Sequence, residues 1–120
     1  MSEVTLTVEQ AMKREAELKT IIENADRLER LSKNEDFKTV IDELYLKDEP
    51  IRLVNLLTDP AQSFPEQQDK LHRAMYGIGT LTQFFRKLTQ QAIQAESELF
   101  HLRESMNETE DEEVLENDAE

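Results

Sequence analysis

The chain has no cysteine and no tryptophan. Without thiols it forms no disulfide, offers zinc no thiolate and carries no cysteine nucleophile. Only two glycines and three prolines occur in 120 residues, and aromatic side chains make up 6%. Few sites for tight turns remain, so a sandwich or barrel of many short strands is disfavoured and helices are favoured. Long apolar runs are missing as well: no stretch approaches the ~18 residues of a membrane span. The opening MSEVTLTVEQ lacks the basic region and apolar core of a secretory leader. Neither a spanning helix nor a signal peptide is expected.

Charge is abundant and uneven. The net charge is -13, from 27 acidic and 14 basic residues. Nine of the acids follow residue 103, leaving 18 against 14 basic residues before it, a balance of -4. The body is therefore mildly acidic and the end strongly so. Phosphate backbones and anionic lipid repel such a chain, so neither direct nucleic-acid binding nor membrane attachment is expected. At this length one domain is expected.

Helical periodicity organises most of the sequence. Thr7 and Gln10 have the spacing of a capping box, and a first helix of about 25 residues is expected over 7–33. Along it Ala11, Leu18 and Ala25 repeat every seven residues, with Ile21 and Leu28 in a companion row, which is a heptad seam. Asn34 caps a second helix over 35–45, with Phe37, Val40, Ile41 and Leu44 at helical spacing. Lys47, Asp48 and Glu49 read as a turn. Pro50 then suits the start of a short apolar helix over 49–58, which Thr58, Asp59 and Pro60 stop. A β reading of Tyr45, Leu46 and the run from Ile51 to Leu57 is the alternative, although that run lacks clean alternation and has no second strand to pair with.

The last helix, expected over 64–106, carries the strongest pattern. Ser63 and Glu66 suggest a second capping box, with Pro65 in the first turn. Leu71, Ile78, Phe85, Ala92, Leu99 and Met106 form one apolar row, and Ala74, Leu81, Leu88, Ala95 and Leu102 form its companion. A helix owes most of its stability to packing, so both rows require cover. The expected fold is all-α: a long antiparallel helical hairpin with a small helical cap over 1–106, followed by a disordered acidic tail over 107–120. A first helix of ~37 Å against a last one of ~60 Å leaves surplus seam from Ala92 to Met106. That surplus is either intramolecular core or a surface for a second copy or a protein partner. The candidate contact residues are Leu71, Ile78, Leu81, Phe85, Leu88, Leu99 and Leu102. Gly77 and Gly79 either admit a close neighbour or simply weaken the helix.

Motifs for chemistry are sparse. His72 and His101 are 29 residues apart, and neither has a partner histidine four residues on or the helical carboxylate pair of metalloprotease or di-iron signatures, so both read as surface histidines. The acid pairs Glu35/Asp36, Asp42/Glu43 and Asp48/Glu49 suit a solvated face. No phosphate loop or nucleophile elbow occurs. No catalytic residue, metal or cofactor is expected. The tail NETEDEEVLENDAE, with Glu108, Glu110, Asp111, Glu112 and Glu113 at its centre, lacks calcium-loop spacing. It reads either as a solubilising end or as an imitation of phosphates directed at a basic cleft. Val114 and Leu115 are its only apolar step.

The stretch DFKTVIDELYLKDEPIRLVNLLTDPA, from Asp36 to Ala61, resembles small acidic helical proteins of tailed bacteriophages, as do ENADRLERLSKN before it and LHRAMYGIGTLTQFFRKL after it. The similarity covers roughly residues 24–103 and includes no catalytic position. It implies a phage-encoded helical protein, carried in the virion or used in head assembly, located in the host cytoplasm or the virion. Acting by helix packing on a protein partner or a second copy is the leading function. An acidic inhibitor of a host nucleic-acid-binding enzyme is the alternative.

Overall fold

The computed structural model describes the backbone of residues 7–118 and the side chains of residues 7–107. The fold is all-α, with no strand among the described residues. In order, the elements are α1 (Val8–Ser32), α2 (Glu35–Phe37), a π-helical segment (Lys38–Asp48), α3 (Glu49–Leu57), a 3-10 turn (Pro60–Gln62) and α4 (Pro65–Asp118). They form two compact units: residues 26–87 make one, and residues 1–25 with 88–120 make the other.

The unit formed by 1–25 and 88–120 is a pair of antiparallel helical segments. Its entry is fixed by the expected capping box: Thr7 N–H donates to Gln10 Oε1 at 3.0 Å, and Gln10 N–H donates to Thr7 Oγ1 at 3.1 Å. Two groups that the helix start leaves unpaired are thereby satisfied. Leu18, Ala95 and Leu99 form the core, with Ile21, Ile22 and Leu102 packed against it. Small alanines at 92 and 95, buried at 7% and 3% exposure, give the long side chains of α1 room to enter.

The unit formed by 26–87 surrounds a second core of Leu53, Leu71 and Ile78, against which Tyr45, Leu46, Leu56, Leu57 and Met75 pack. Asn34 caps as expected, its side chain accepting from Phe37 N–H at 3.1 Å. The rings of Phe37 and Phe85 lie 6.1 Å apart and tilted, tying the start of this helical run to α4. Asp59 shapes the 3-10 turn by accepting from Ala61 N–H at 3.0 Å. The side chain of Gln68 donates to the carbonyls of Leu57 and Gln62, which fastens the turn onto α4.

Three local expectations are corrected. No turn occurs at Lys47–Glu49: residues 35–57 are helical throughout, and Glu49 N–H donates to the carbonyl of Leu44, five residues back. In a regular α-helix the ring of Pro50 crowds the carbonyl four residues earlier, and the wider π turn preceding it relieves that crowding. The β alternative fails in the same place, since Ile51 to Leu57 lies within α3. Finally, Ser63 and Glu66 do not form a capping box. Instead α4 starts at Pro65, and the carbonyl of Phe64 accepts from Gln67 and Gln68 N–H.

The backbone of α4 is helical to Asp118, past Met106 where the apolar rows end. The side chains of Glu108, Glu110, Asp111, Glu112 and Glu113 lie outside the described residues, whereas the last helix, expected to end at residue 106, continues in its backbone to Asp118.

Candidate interaction surface

The residues expected to recruit a partner are buried or half-buried in the folded chain. Leu71, Ile78 and Leu99 are buried, at 4%, 7% and 8% exposure. Leu81, Phe85, Leu88 and Leu102 are half-buried. Leu71 and Ile78 belong to the core of unit 26–87, whereas Leu99 and Leu102 belong to that of the other unit. The stretch from Ala92 to Met106, expected as surplus seam, is covered in its own unit by Leu18, Ile21 and Ile22 of α1. Of the two alternatives for it, the intramolecular core is the one adopted. Length comparison left the two open because it gives no register, which here sets Leu18 to Ile22 of α1 against Ala95 to Leu102 of α4.

One member of the two rows departs from the pattern: Ala74 is exposed, whereas Met75 and Thr82 are half-buried. A strict seven-residue repeat drifts around a straight helix of 3.6 residues per turn, and the buried stripe of α4 follows the helix.

The glycines divide. A side chain at Gly77 would meet the Tyr45 hydroxyl at 3.6 Å, an ordinary contact, and one at Gly79 would meet nothing within 4 Å. Close backbone approach is therefore not what Gly79 provides. Its missing side chain helps shape an open groove of about 580 Å³, lined by His72, Met75, Tyr76, Gly79, Thr80 and Gln83, all on α4.

Ion pairs cover the outer faces. Arg14 bonds Glu98 at 2.8 Å and Glu17 at 3.1 Å, and these carboxylates hold its guanidinium protonated above its already high range. Glu15 accepts from Lys19 at 3.3 Å and from Arg103 at 3.4 Å. Lys19 above all, then Arg103, holds Glu15 below the usual carboxylate range. Arg52 does the same for Glu49 one turn away. Glu15 and Glu49 are partly covered and their cationic partners lie largely in water, so each pair orders the surface without dominating stability.

Among the described residues no group of three His, Asp or Glu side chains is placed to hold a metal, and no buried side-chain polar atom lacks a partner. His101 packs edge-on against Phe100, with ring centroids 5.7 Å apart, and His72 borders the open groove. No helix among the described residues is long and apolar enough to cross a membrane. The chain matches no protein-family model, and neither a curated protein nor a solved structure is significantly similar to it.

What remains outside the cores is substantial. Val8, Met12, Val40, Leu44, Tyr76 and Phe100 are each more than half exposed. These large apolar side chains stay in water on the outer faces of the packed helices.

Proposed function

We propose that the chain is a helical interaction protein with no chemistry of its own, a phage virion component or head-assembly accessory that works by packing against another protein. The observation that carries the reading is the division of the apolar residues. Apart from Ala74, both heptad rows are buried or half-buried, while a separate set, including Tyr76 at 77% and Phe100 at 59% exposure, stays on the surface. The phage assignment and a location in host cytoplasm or virion rest on the resemblance over residues 24–103 alone.

The test is photo-crosslinking in infected cells from single positions on the outer faces, with core positions as controls. Crosslinks to one protein from outer positions such as Tyr76 or Phe100, and none from Leu53, support the reading. Equal, unselective crosslinking from every exposed position sinks it.

A second reading is favoured by the charge of the C-terminal end: an acidic inhibitor that occupies the phosphate-binding cleft of a host nucleic-acid-binding enzyme. Removing residues 107–120 separates the two. An inhibitor of that kind loses potency, and in the intact form weakens steeply with salt, because exposed charges are screened within about 10 Å at 0.1 M.

A further inference from the structure

Within the unit formed by residues 26–87, α4 carries a second heptad row on a face clear of Leu71 and Ile78. Asp69, His72, Tyr76, Gly79, Gln83 and Arg86 follow one another at alternating steps of three and four residues, the spacing of a and d positions. All six are exposed. Over so short a span the repeat drifts by only about 20° per heptad around a straight helix. The structure shows that the middle of the row shares one surface: His72, Tyr76, Gly79 and Gln83, with Met75 and Thr80 beside them, line the open groove of about 580 Å³. Although 34% of the chain is charged, that lining contains no Lys, Arg, Asp or Glu. Tyr76, at 77% exposure, stands beside the hole left by Gly79, where a side chain would meet nothing within 4 Å.

The order of these side chains selects the occupant. When two identical helices pack antiparallel about a two-fold axis, each a position meets a d position of the other copy, and facing residues are equidistant from the axis. An axis passing between Gly77 and Ile78 pairs Tyr76 with Gly79, His72 with Gln83 and Asp69 with Arg86, each pair occurring twice. The largest side chain of the row thus meets the residue that has none. The imidazole meets an amide that both donates and accepts, and at each end a carboxylate meets a guanidinium. Every layer is complementary in that register.

Other registers do not match in this way. A parallel, in-register pair sets Tyr76 on Tyr76, Asp69 on Asp69 and Arg86 on Arg86, so bulk and like charges collide. An antiparallel pair displaced by one heptad sets Tyr76 against Arg86, or Asp69 against Gly79. The charge of the unit does not oppose a second copy, because residues 26–87 hold 11 acidic and 10 basic residues, a balance of -1. Asp69 is already bonded to Arg73 at 3.0 Å, with both side chains mostly in water. A carboxylate accepts from several donors at once, so this weak surface pair leaves it able to meet Arg86 of the second copy.

We infer that the face of α4 from Asp69 to Arg86 is a self-pairing surface, on which a second copy of the chain packs antiparallel. This goes beyond the reading above, which concerns a different protein. A row this short makes a small contact, so the dimer is a weak one, with a dissociation constant on the order of 0.1 mM. Sedimentation equilibrium of the full chain at about 0.15 M salt, where exposed charges are screened beyond about 8 Å, should show the mass rising with concentration from one chain towards two. Asp69→Arg alone sets two guanidinium groups face to face at each end, and Arg86→Asp alone sets two carboxylates. Either should raise the dissociation constant at least about tenfold. Mixed in equal amounts, the two variants recover both opposite-charge pairs and should associate within about threefold of wild type. Gly79→Leu fills the hole that Tyr76 enters and should abolish pairing, while the melting temperature of dilute protein does not fall, since the groove is open there.

A chain that stays monomeric up to about 1 mM overturns the inference. So do single variants that pair as well as wild type, and so does a mixture that associates no better than its two components. A monomeric chain that still crosslinks from Tyr76 to a different protein also overturns it, assigning the face to that protein and leaving the interaction reading in place. Self-pairing with the expected response to the charge exchange, but without crosslinks to any other protein, supports the inference and removes that reading instead.

Discussion

Arg14 and Glu98, 84 positions apart in sequence, are joined by a guanidinium-to-carboxylate hydrogen bond of 2.8 Å. This pair and the nearby contact of Leu18 with Ala95 fix the register of the two antiparallel segments. Register matters here because a shift along α4 would exchange which residues enter the core and which face water. In a Glu17→Gln background, which removes the other partner of Arg14, exchanging the charges, Arg14→Glu together with Glu98→Arg, should restore a melting temperature lowered by either substitution alone. Additive losses in the double variant would mean that the pair does not act as a unit.

Acid should weaken the same unit in a specific way. Glu15 titrates below the usual carboxylate range in the folded chain because of Lys19 and then Arg103. A carboxylate depressed by folding contributes stability that is present above its unfolded value, about 4.3, and lost as pH falls through the lower folded value. Wild type should therefore lose more stability than Glu15→Gln between neutral pH and the pH of that folded titration. Parallel stability curves for the two proteins would contradict this.

The two cores should respond separately to truncation. Leu18 and Leu53 are the largest fully buried side chains, at 1% and 2% exposure, one in each unit. Replacement of either by Ala should cost about 2–5 kcal/mol in urea unfolding. Amide exchange should show faster opening in the substituted unit first. A loss below about 1 kcal/mol at Leu53 would show that the site collapses without penalty.

Gly79 offers a change of the opposite sign. Nothing lies within 4 Å of where its side chain would project, so Gly79→Ala should stabilise the protein by roughly 0.5–1 kcal/mol through the helix term alone. Gly77→Ala should gain no more than this, because the Tyr45 hydroxyl is already 3.6 Å away. Thermal unfolding of the two variants side by side distinguishes them, and destabilisation by Gly79→Ala would mean that the groove beside Tyr76 is occupied by something the residue size controls.

The apolar rows were readable in the sequence because heptad spacing is a direct consequence of helix geometry. Ala11, Leu18, Ile78, Ala92, Ala95 and Leu99 all fall where that spacing puts them. The caps at Thr7 and Asn34 were readable for a similar reason, since each is settled by residues three apart. What escaped was whatever depends on non-local arrangement. Lys47, Asp48, Glu49 and Pro50 have the composition of a turn, and only the widened π turn, with Glu49 bonded to Leu44, reveals that a helix passes through them.

The central claim is that the apolar rows between Ala92 and Leu102 are internal core and leave binding to the outer faces. Because the chain has no cysteine, single thiols report on it directly. Ala74 and Ala95 share one predicted row, yet Ala74 is exposed and Ala95 is 3% exposed. Ala74→Cys should be alkylated about as fast as in denaturant, and Ala95→Cys at least about tenfold more slowly, as for a thiol reached only through local opening. Equal rates at the two positions would mean that the row faces water, and the account would be contradicted.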